Sequence, residues 1–144
     1  MITTGPALRK LHSHRSIHDG AHAEAKELTE MVIILHAEER KEACEKAVKV
    51  LIEYWETRII AHADAEDEGF YQELLRENPQ LTKDIYMLMR DHELFRIIIK
   101  QIKKQFSQRK QVTNDMIEQF QSLLIINQIH HEGEENKLFT NVAK

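Results

Sequence analysis

Glycine and proline are scarce in this sequence, 4 and 2 in 144 residues. So few breakers leave little punctuation for strands and hairpins, while abundant Glu, Lys, Leu, Ile and Ala favour helix. Cysteine occurs once, at Cys44. That excludes an intramolecular disulfide and any Cys-based metal site, and it fits a reducing compartment. No apolar run approaches the ~18 residues of a membrane span. The opening stretch MITTGPALRKLHSHRS has no apolar segment of signal-peptide length. A soluble, cytoplasmic protein without a membrane partner is expected. The net charge of −4 is mild, and Lys and Arg are scattered apart from a small run at Lys100–Lys110, so no nucleic-acid partner is expected. The length suggests a single domain over residues 1–144, large enough to bury a core without staples. A homodimer is compatible with it.

What is plentiful is histidine, 9 residues, and the breaks say where they fall. Thr4 and Pro6 can open a first helix. Asn78–Pro79 pairs a cap residue with a proline suited to a first helical turn. In SQRKQVTND, Thr113 or Asn114 can cap, with Asp115 and Glu118 favouring the new N-terminus. Residues 6 to 78 as one helix would run roughly 105 Å at 1.5 Å per residue. The chain must therefore fold back, and the polar stretch His36–Ala43 is the best place. The expectation is helices near 6–36, 39–77, 79–107 and 114–142, joined by short connections into an all-α, antiparallel up-down-up-down four-helix bundle.

Helical phase then assigns inward faces. Cys44, Val48, Leu51, Trp55 and Ile59 form a stripe that continues onto His62, Glu66 and Phe70. Leu81, Ile85, Leu88, Phe95, Ile99, Ile102 and Phe106 enclose His92. On the first helix Ala7, Leu11, Ala21, Ala25, Leu28, Val32 and Leu35 enclose His14, with His18 one turn on. On the last, Phe120, Leu123, Leu124 and Leu138 flank both His130–Glu134 and His131–Glu135, and phase does not choose between those pairs. Height is a second test. Reflection about residues 38, 78 and 110 places His14 beside His62, His62 near His92, and His92 near His130. One histidine from each helix then meets at one level, and two helices add a carboxylate one turn on.

A buried histidine taken singly needs only a hydrogen bond. Four at one level with two glutamates is different, because buried carboxylates without partners cost several kcal/mol each. A metal centre satisfies all six groups together. Mixed imidazole and carboxylate donors suit iron, manganese or zinc. If each Glu bridges, the six groups supply about eight bonds of the roughly twelve that two six-coordinate ions accept. That arithmetic favours a dinuclear site with open positions over a closed structural zinc site. The Glu-x-x-His pattern of ferritin-like carboxylate bundles is absent, as is His-Glu-x-x-His.

His-x-x-x-Glu occurs twice, in HADAEDEGFY at His62 and in HHEGEENKLF at His130. With LHSHRSI and RDHELFR, these motifs resemble the hemerythrin-like family, the HHE cation-binding domains, over nearly the whole chain. The resemblance implies a di-iron centre with an oxo or hydroxo bridge, bridging Glu66 and Glu134, and terminal His14, His62, His92 and His130. The family's closing motif selects His130–Glu134 over His131–Glu135, and its opening motif selects His14. The oxygen-carrier branch has a further histidine where Arg96 stands here. His18 is an additional candidate ligand, and His131 and Glu135 are candidates for ligands or for groups that orient them. His12 and His36 are expected to face solvent. Leu11, Ile17, Trp55, Ile59, Leu88 and Phe95 are candidate walls of a dry pocket. The function implied is binding or sensing of O2, a related diatomic such as NO, or iron. The alternative is a di-iron oxidoreductase (oxidase, peroxidase-like or NO-reducing) or an iron donor for cluster repair. No separate catalytic group is apparent.

Overall fold

The computed structural model describes the backbone of residues 6–139 and the side chains of residues 15–139. Helix α1 spans Pro6–Ala37. Helix α2 is continuous but varied: Lys41–Tyr54 is α, Trp55–Ile60 is π, Ala61–Ala65 is α, Glu66–Phe70 is π and Tyr71–Glu77 is α. A 3-10 turn, Pro79–Leu81, leads into helix α3, Thr82–Arg109. Helix α4, Asn114–Glu134, continues into a π segment, Glu135–Phe139. No strand occurs among the described residues. Helices α1 and α2, α2 and α3, α3 and α4, and α1 and α4 pack against each other, giving a four-helix bundle. The proposed cap at Thr4 lies outside the described residues.

The breaks follow local chemistry. Pro79 is the first residue of its turn, where a missing N–H costs nothing. Thr113 caps α4 by accepting a hydrogen bond from the Met116 N–H at 3.3 Å. With so few glycines, two turns place other residues in the left-handed region, Glu39 at φ 56° and Lys110 at φ 54°. The first follows α1 and the second ends α3.

Two apolar clusters fill the interior. One contains Val48, Leu51, Trp55, Ile59, Phe95, Ile102, Met116, Phe120 and Leu123. The other contains Tyr71, Leu74, Leu81, Ile85, Leu88 and Leu138. Each fully buried large apolar side chain contributes roughly 1.5–3 kcal/mol. Between the clusters along each helix come the polar groups: His62 and Glu66 between Ile59 and Tyr71, His92 between Leu88 and Phe95, His130 and Glu134 between Leu123 and Leu138. The polar layer is thus clamped from both sides by packing it does not supply.

The expected stripe on α2 holds through Ile59, His62 and Glu66 and then shifts. Phe70 was its next apolar position, yet Phe70 is half-buried and Tyr71 is fully buried. The π turn at Glu66–Phe70 inserts an extra residue into the turn, which moves the inward position from i+4 to i+5. The π segment at the end of α4 lets Leu138 and Phe139 both go inside.

Candidate metal centre

Glu66, His92, His130 and Glu134 are all buried, and one donor atom from each lies within 4.8 Å of the others. His18, His62 and Glu66 form a second group by the same measure. The two groups share Glu66. Its Oε1 is 3.4 Å from His92 Nε2, while its Oε2 is 3.7 Å from His62 Nε2 and 3.9 Å from His18 Nε2. Glu134 divides in the same way. Its Oε2 is 3.1 Å from His130 Nε2, and its Oε1 is 3.6 Å from His18 Nε2. Each carboxylate therefore turns one oxygen to the His92–His130 pair and the other toward α1.

Carboxylates on neighbouring helices set the orientation of the two deepest imidazoles. Asp67 Oδ1 lies 2.8 Å from His92 Nδ1, and Asp91 Oδ2 lies 3.0 Å from His130 Nδ1. An ionised carboxylate only accepts, so each Nδ1 carries the proton. Arg96 fixes Asp67 from behind, its Nη2 donating to Oδ2 at 2.6 Å, and it also donates to Asp64 from Nε and Nη2 at 2.9 and 2.7 Å. Tyr71 Oη donates to Glu134 Oε2 at 2.5 Å, and its ring stacks on His92 at 5.5 Å.

Electrostatics follow from this crowding. Burial raises Glu66. Burial also acts to raise Glu134, but His130, His18 and Tyr71 outweigh it and hold that carboxyl below the usual range. Burial works against a charged His130, yet the Asp91 hydrogen bond and Glu134 lift it to about 9. His92 is raised likewise, through Asp67 and Glu66 against burial. Tyr71 is pushed well above its ordinary value, first by burial and then by Glu134. The fit to a cation can be judged from the donor set itself. The two Nε2 atoms face each other at 3.0 Å. With both Nδ1 atoms protonated, that contact brings two lone pairs together unless a proton or a cation stands there. Two carboxylates aimed at the same point favour positive charge, and a metal ion replaces the protons they otherwise hold on the imidazoles.

Among the predicted residues, the structure brings His62, Glu66, His92, His130 and Glu134 together with His18, which is 6% exposed. The side chain of His14, with those of His12 and Leu11, lies outside the described residues. His131 is half-buried and stacks on His18, with ring centroids 4.3 Å apart and planes 1° apart. Glu135 belongs to neither donor group and receives Arg15 Nε at 3.0 Å. His36 is half-buried rather than solvent-facing, its Nε2 lying 3.0 Å from Asn114 Oδ1 across the end of the bundle. Of the expected walls, Ile17, Ile59 and Phe95 line the inner cavity, while Trp55 and Leu88 pack in the apolar clusters. Sequence reasoning missed Asp67, Asp91 and Tyr71. The available signal was adjacency, since Asp67 follows Glu66 and Asp91 precedes His92.

The cavity around these donors has a volume of about 30 Å³. That is room for water-sized species beside the donors. No helix among the described residues is long and apolar enough to cross a membrane. Comparison with curated proteins and with solved structures yields no match. The family model of the hemerythrin HHE cation binding domain, however, matches residues 13–142. That match spans almost the entire chain and every donor described above, and the chain belongs to the hemerythrin HHE cation-binding domain family.

Proposed function

We propose that this protein holds two iron ions and uses them to bind or sense O2 or a related diatomic such as NO. One observation carries the reading. Glu66 and Glu134 each split their two oxygens between different histidine groups, as a carboxylate does when it bridges two cations. His92 and His130 would serve one side of the pair, with His62 and α1 (through His14, His18 or both) serving the other. Bound di-iron supplies reversible one- and two-electron chemistry toward diatomic ligands. The chain's own part is to orient the imidazoles through Asp67 and Asp91, to keep the site dry with Phe95 and Ile59, and to limit entry by size. Manganese or zinc would suit the same donors. A cytoplasmic setting, in which Cys44 stays a thiol, fits this reading.

The up-down-up-down antiparallel topology is part of the proposal. Its support is that cross-helix contacts keep the two residue numbers adding to a nearly constant value within each helix pair. Cys44–Val32 and Tyr54–Ala21 do so for α1 and α2, and Asp67–His92 and Asp64–Arg96 for α2 and α3. His22–Asn127, His36–Asn114 and Arg15–Glu135 do so for α1 and α4.

The second reading is a di-iron oxidoreductase. Tyr71 favours it, because a buried phenol hydrogen-bonded to Glu134 and stacked on His92 is placed to exchange an electron and a proton with the centre. Metal analysis separates the assignments, combined with optical spectra of the protein reduced anaerobically and then exposed to O2. About two irons per chain with a reversible spectral change supports diatomic binding. Irreversible oxidation supports the oxidoreductase, and one colourless zinc refutes both. Glu66→Ala is expected to lose half or more of the metal, and His36→Ala none. Equal content in the two variants would sink the ligand assignment.

A further inference from the structure

One wall of the inner cavity is double-sided. His131 lines that cavity together with His18, Glu66 and His130. It also lines a separate surface cleft, where Asp19, His22 and Lys26 of α1 face Glu132 and Glu135 of α4. Among the described residues, His131 is the one that the two cavities share.

Imidazoles mark successive depths from this cleft inward. The His22 and His131 ring centroids are 6.0 Å apart. His131 stacks on His18 at 4.3 Å with the planes 1° from parallel. His18 Nε2 lies 3.6 Å from Glu134 Oε1. A cation leaving one ring therefore meets the next without crossing an apolar layer. The charge around the cleft points the same way, with Asp19, Glu132 and Glu135 against Lys26 and against Arg15, which pairs with Glu135. Such a mouth concentrates cations. The cavity's wall between α1 and α2 instead presents the exposed guanidinium of Arg58 and the exposed apolar Ile17, groups that do not attract divalent cations.

We propose that the cleft between α1 and α4 is the port through which divalent metal ions load. His131 acts there as a transient ligand that passes the ion to His18 and Glu134, and it is not a resident ligand of the finished centre. The proposal rests on the two-cation reading above and assigns His131 a role in that centre's assembly.

The test is anaerobic stopped-flow uptake of Co(II) by metal-free protein, followed by its visible absorption, with Co(II) per chain measured at the end. His131→Ala should slow the initial rate about tenfold or more while leaving the final content unchanged. Asp19→Lys combined with Glu132→Lys should slow uptake at low salt, and the difference from wild type should shrink as salt screens the cleft. Arg58→Ala should not slow uptake. Wild-type rates in both the His131 variant and the double variant would overturn the port. A fall in final content in His131→Ala would make His131 a resident ligand and overturn the relay. Should His131→Ala fail to fold, the exposed double variant carries the test alone. A wild-type protein that takes up no Co(II) would overturn the reading of the centre, and the port with it.

Discussion

Asp67 and Asp91 look equivalent, since each accepts from the Nδ1 of a histidine on the next helix, yet their amide variants should differ. Asp91→Asn leaves an oxygen that can still accept from His130. A charge-assisted hydrogen bond becomes a neutral one, roughly half as strong. The expected loss is about tenfold in metal affinity, or ~1.4 kcal/mol. At Asp67 the second oxygen is held by Arg96 at 2.6 Å, and the side chain is only 14% exposed. An asparagine there must give its one oxygen to the guanidinium, which turns its NH2 toward His92. Nδ1 then has to accept, and the ring's proton moves to Nε2, the atom that faces the centre. Asp67→Asn should therefore cost about a hundredfold, or ~2.7 kcal/mol, at the top of the range for residues that orient ligands. Competition for Co(II) against a chelator of known affinity measures both. Glu93→Gln is the control, because Glu93 is exposed and pairs with the exposed Arg90 at 3.4 Å, away from the donor groups. If Asp67→Asn costs no more than Asp91→Asn, or if neither differs from the control, the tautomer argument is wrong.

Tyr71→Phe should lower the stability of the metal-free protein by about 2 kcal/mol, against about 1 kcal/mol for Tyr54→Phe. The first hydroxyl donates to a fully buried carboxylate, whereas the second is part-buried, at 3.3 Å from the Ala21 carbonyl and beside Glu24 and Arg58, where water can replace what is lost; equal denaturation midpoints would contradict this. Metal-free protein should also lose stability as pH rises from 6.5 to 9. His130, raised to about 9, stabilises the fold fully below its unfolded value near 6.5, and that contribution, at most about 3 kcal/mol, disappears as the ring deprotonates. The metal-loaded protein should show the reverse trend, since protons compete with the ion for the same ring, so melting curves of both forms across this range decide the point. Lys110→Gly should stabilise by about 0.5–1 kcal/mol, because relief of a left-handed residue outweighs the added freedom of the unfolded chain. An unchanged or lowered midpoint in urea would show that φ 54° at Lys110 carries no strain.

Much of this arrangement is legible in the sequence because it depends on periodicity alone. Val48, Leu51, Trp55 and Ile59 on α2, and Ile85, Leu88, Phe95, Ile99 and Ile102 on α3, are buried where a 3.6-residue phase puts them. The common level of His62, His92 and His130 follows from where Asn78–Pro79 and Thr113 break the chain. Asp67 and Asp91 are not legible that way. Each is one residue from an inward position, about 100° around the helix, where phase reads a carboxylate as solvated. Only the spacing between neighbouring helices decides whether it meets water or the back of an imidazole. The close approach of His18 to both glutamates is hidden for a related reason, since α1 carries histidines on successive turns of one face and phase ranks them alike.

The two π segments that follow the His-x-x-x-Glu motifs show why phase also failed at Tyr71. In a regular helix a carboxylate at Glu66 or Glu134 would put the next inward residue four positions on. After Glu66 that is Phe70, which would leave the Tyr71 hydroxyl pointing away from the centre. The wide turn at Glu66–Phe70 brings Tyr71 inward instead, onto His92 and within reach of Glu134. After Glu134 the wide turn Glu135–Phe139 sends both Leu138 and Phe139 inward, and Phe139 stacks on Phe70 at 6.0 Å. A wide turn lengthens or misaligns backbone hydrogen bonds and persists only where something offsets that cost. Here the offset is visible on both helices, since the turn on α4 closes the polar layer with apolar residues and the turn on α2 supplies a phenol that touches Glu134. Deleting Gly69, an exposed residue with open space around it, would let α2 regain a regular turn at no cost in side-chain contacts. The residue four after Glu66 is then Tyr71 itself, so the phenol should stay inward and the metal-loaded protein should keep the optical spectrum and metal affinity of wild type. A changed spectrum or a lost affinity in that deletion would show that the wide turn itself, and not only the residue it brings inward, shapes the centre.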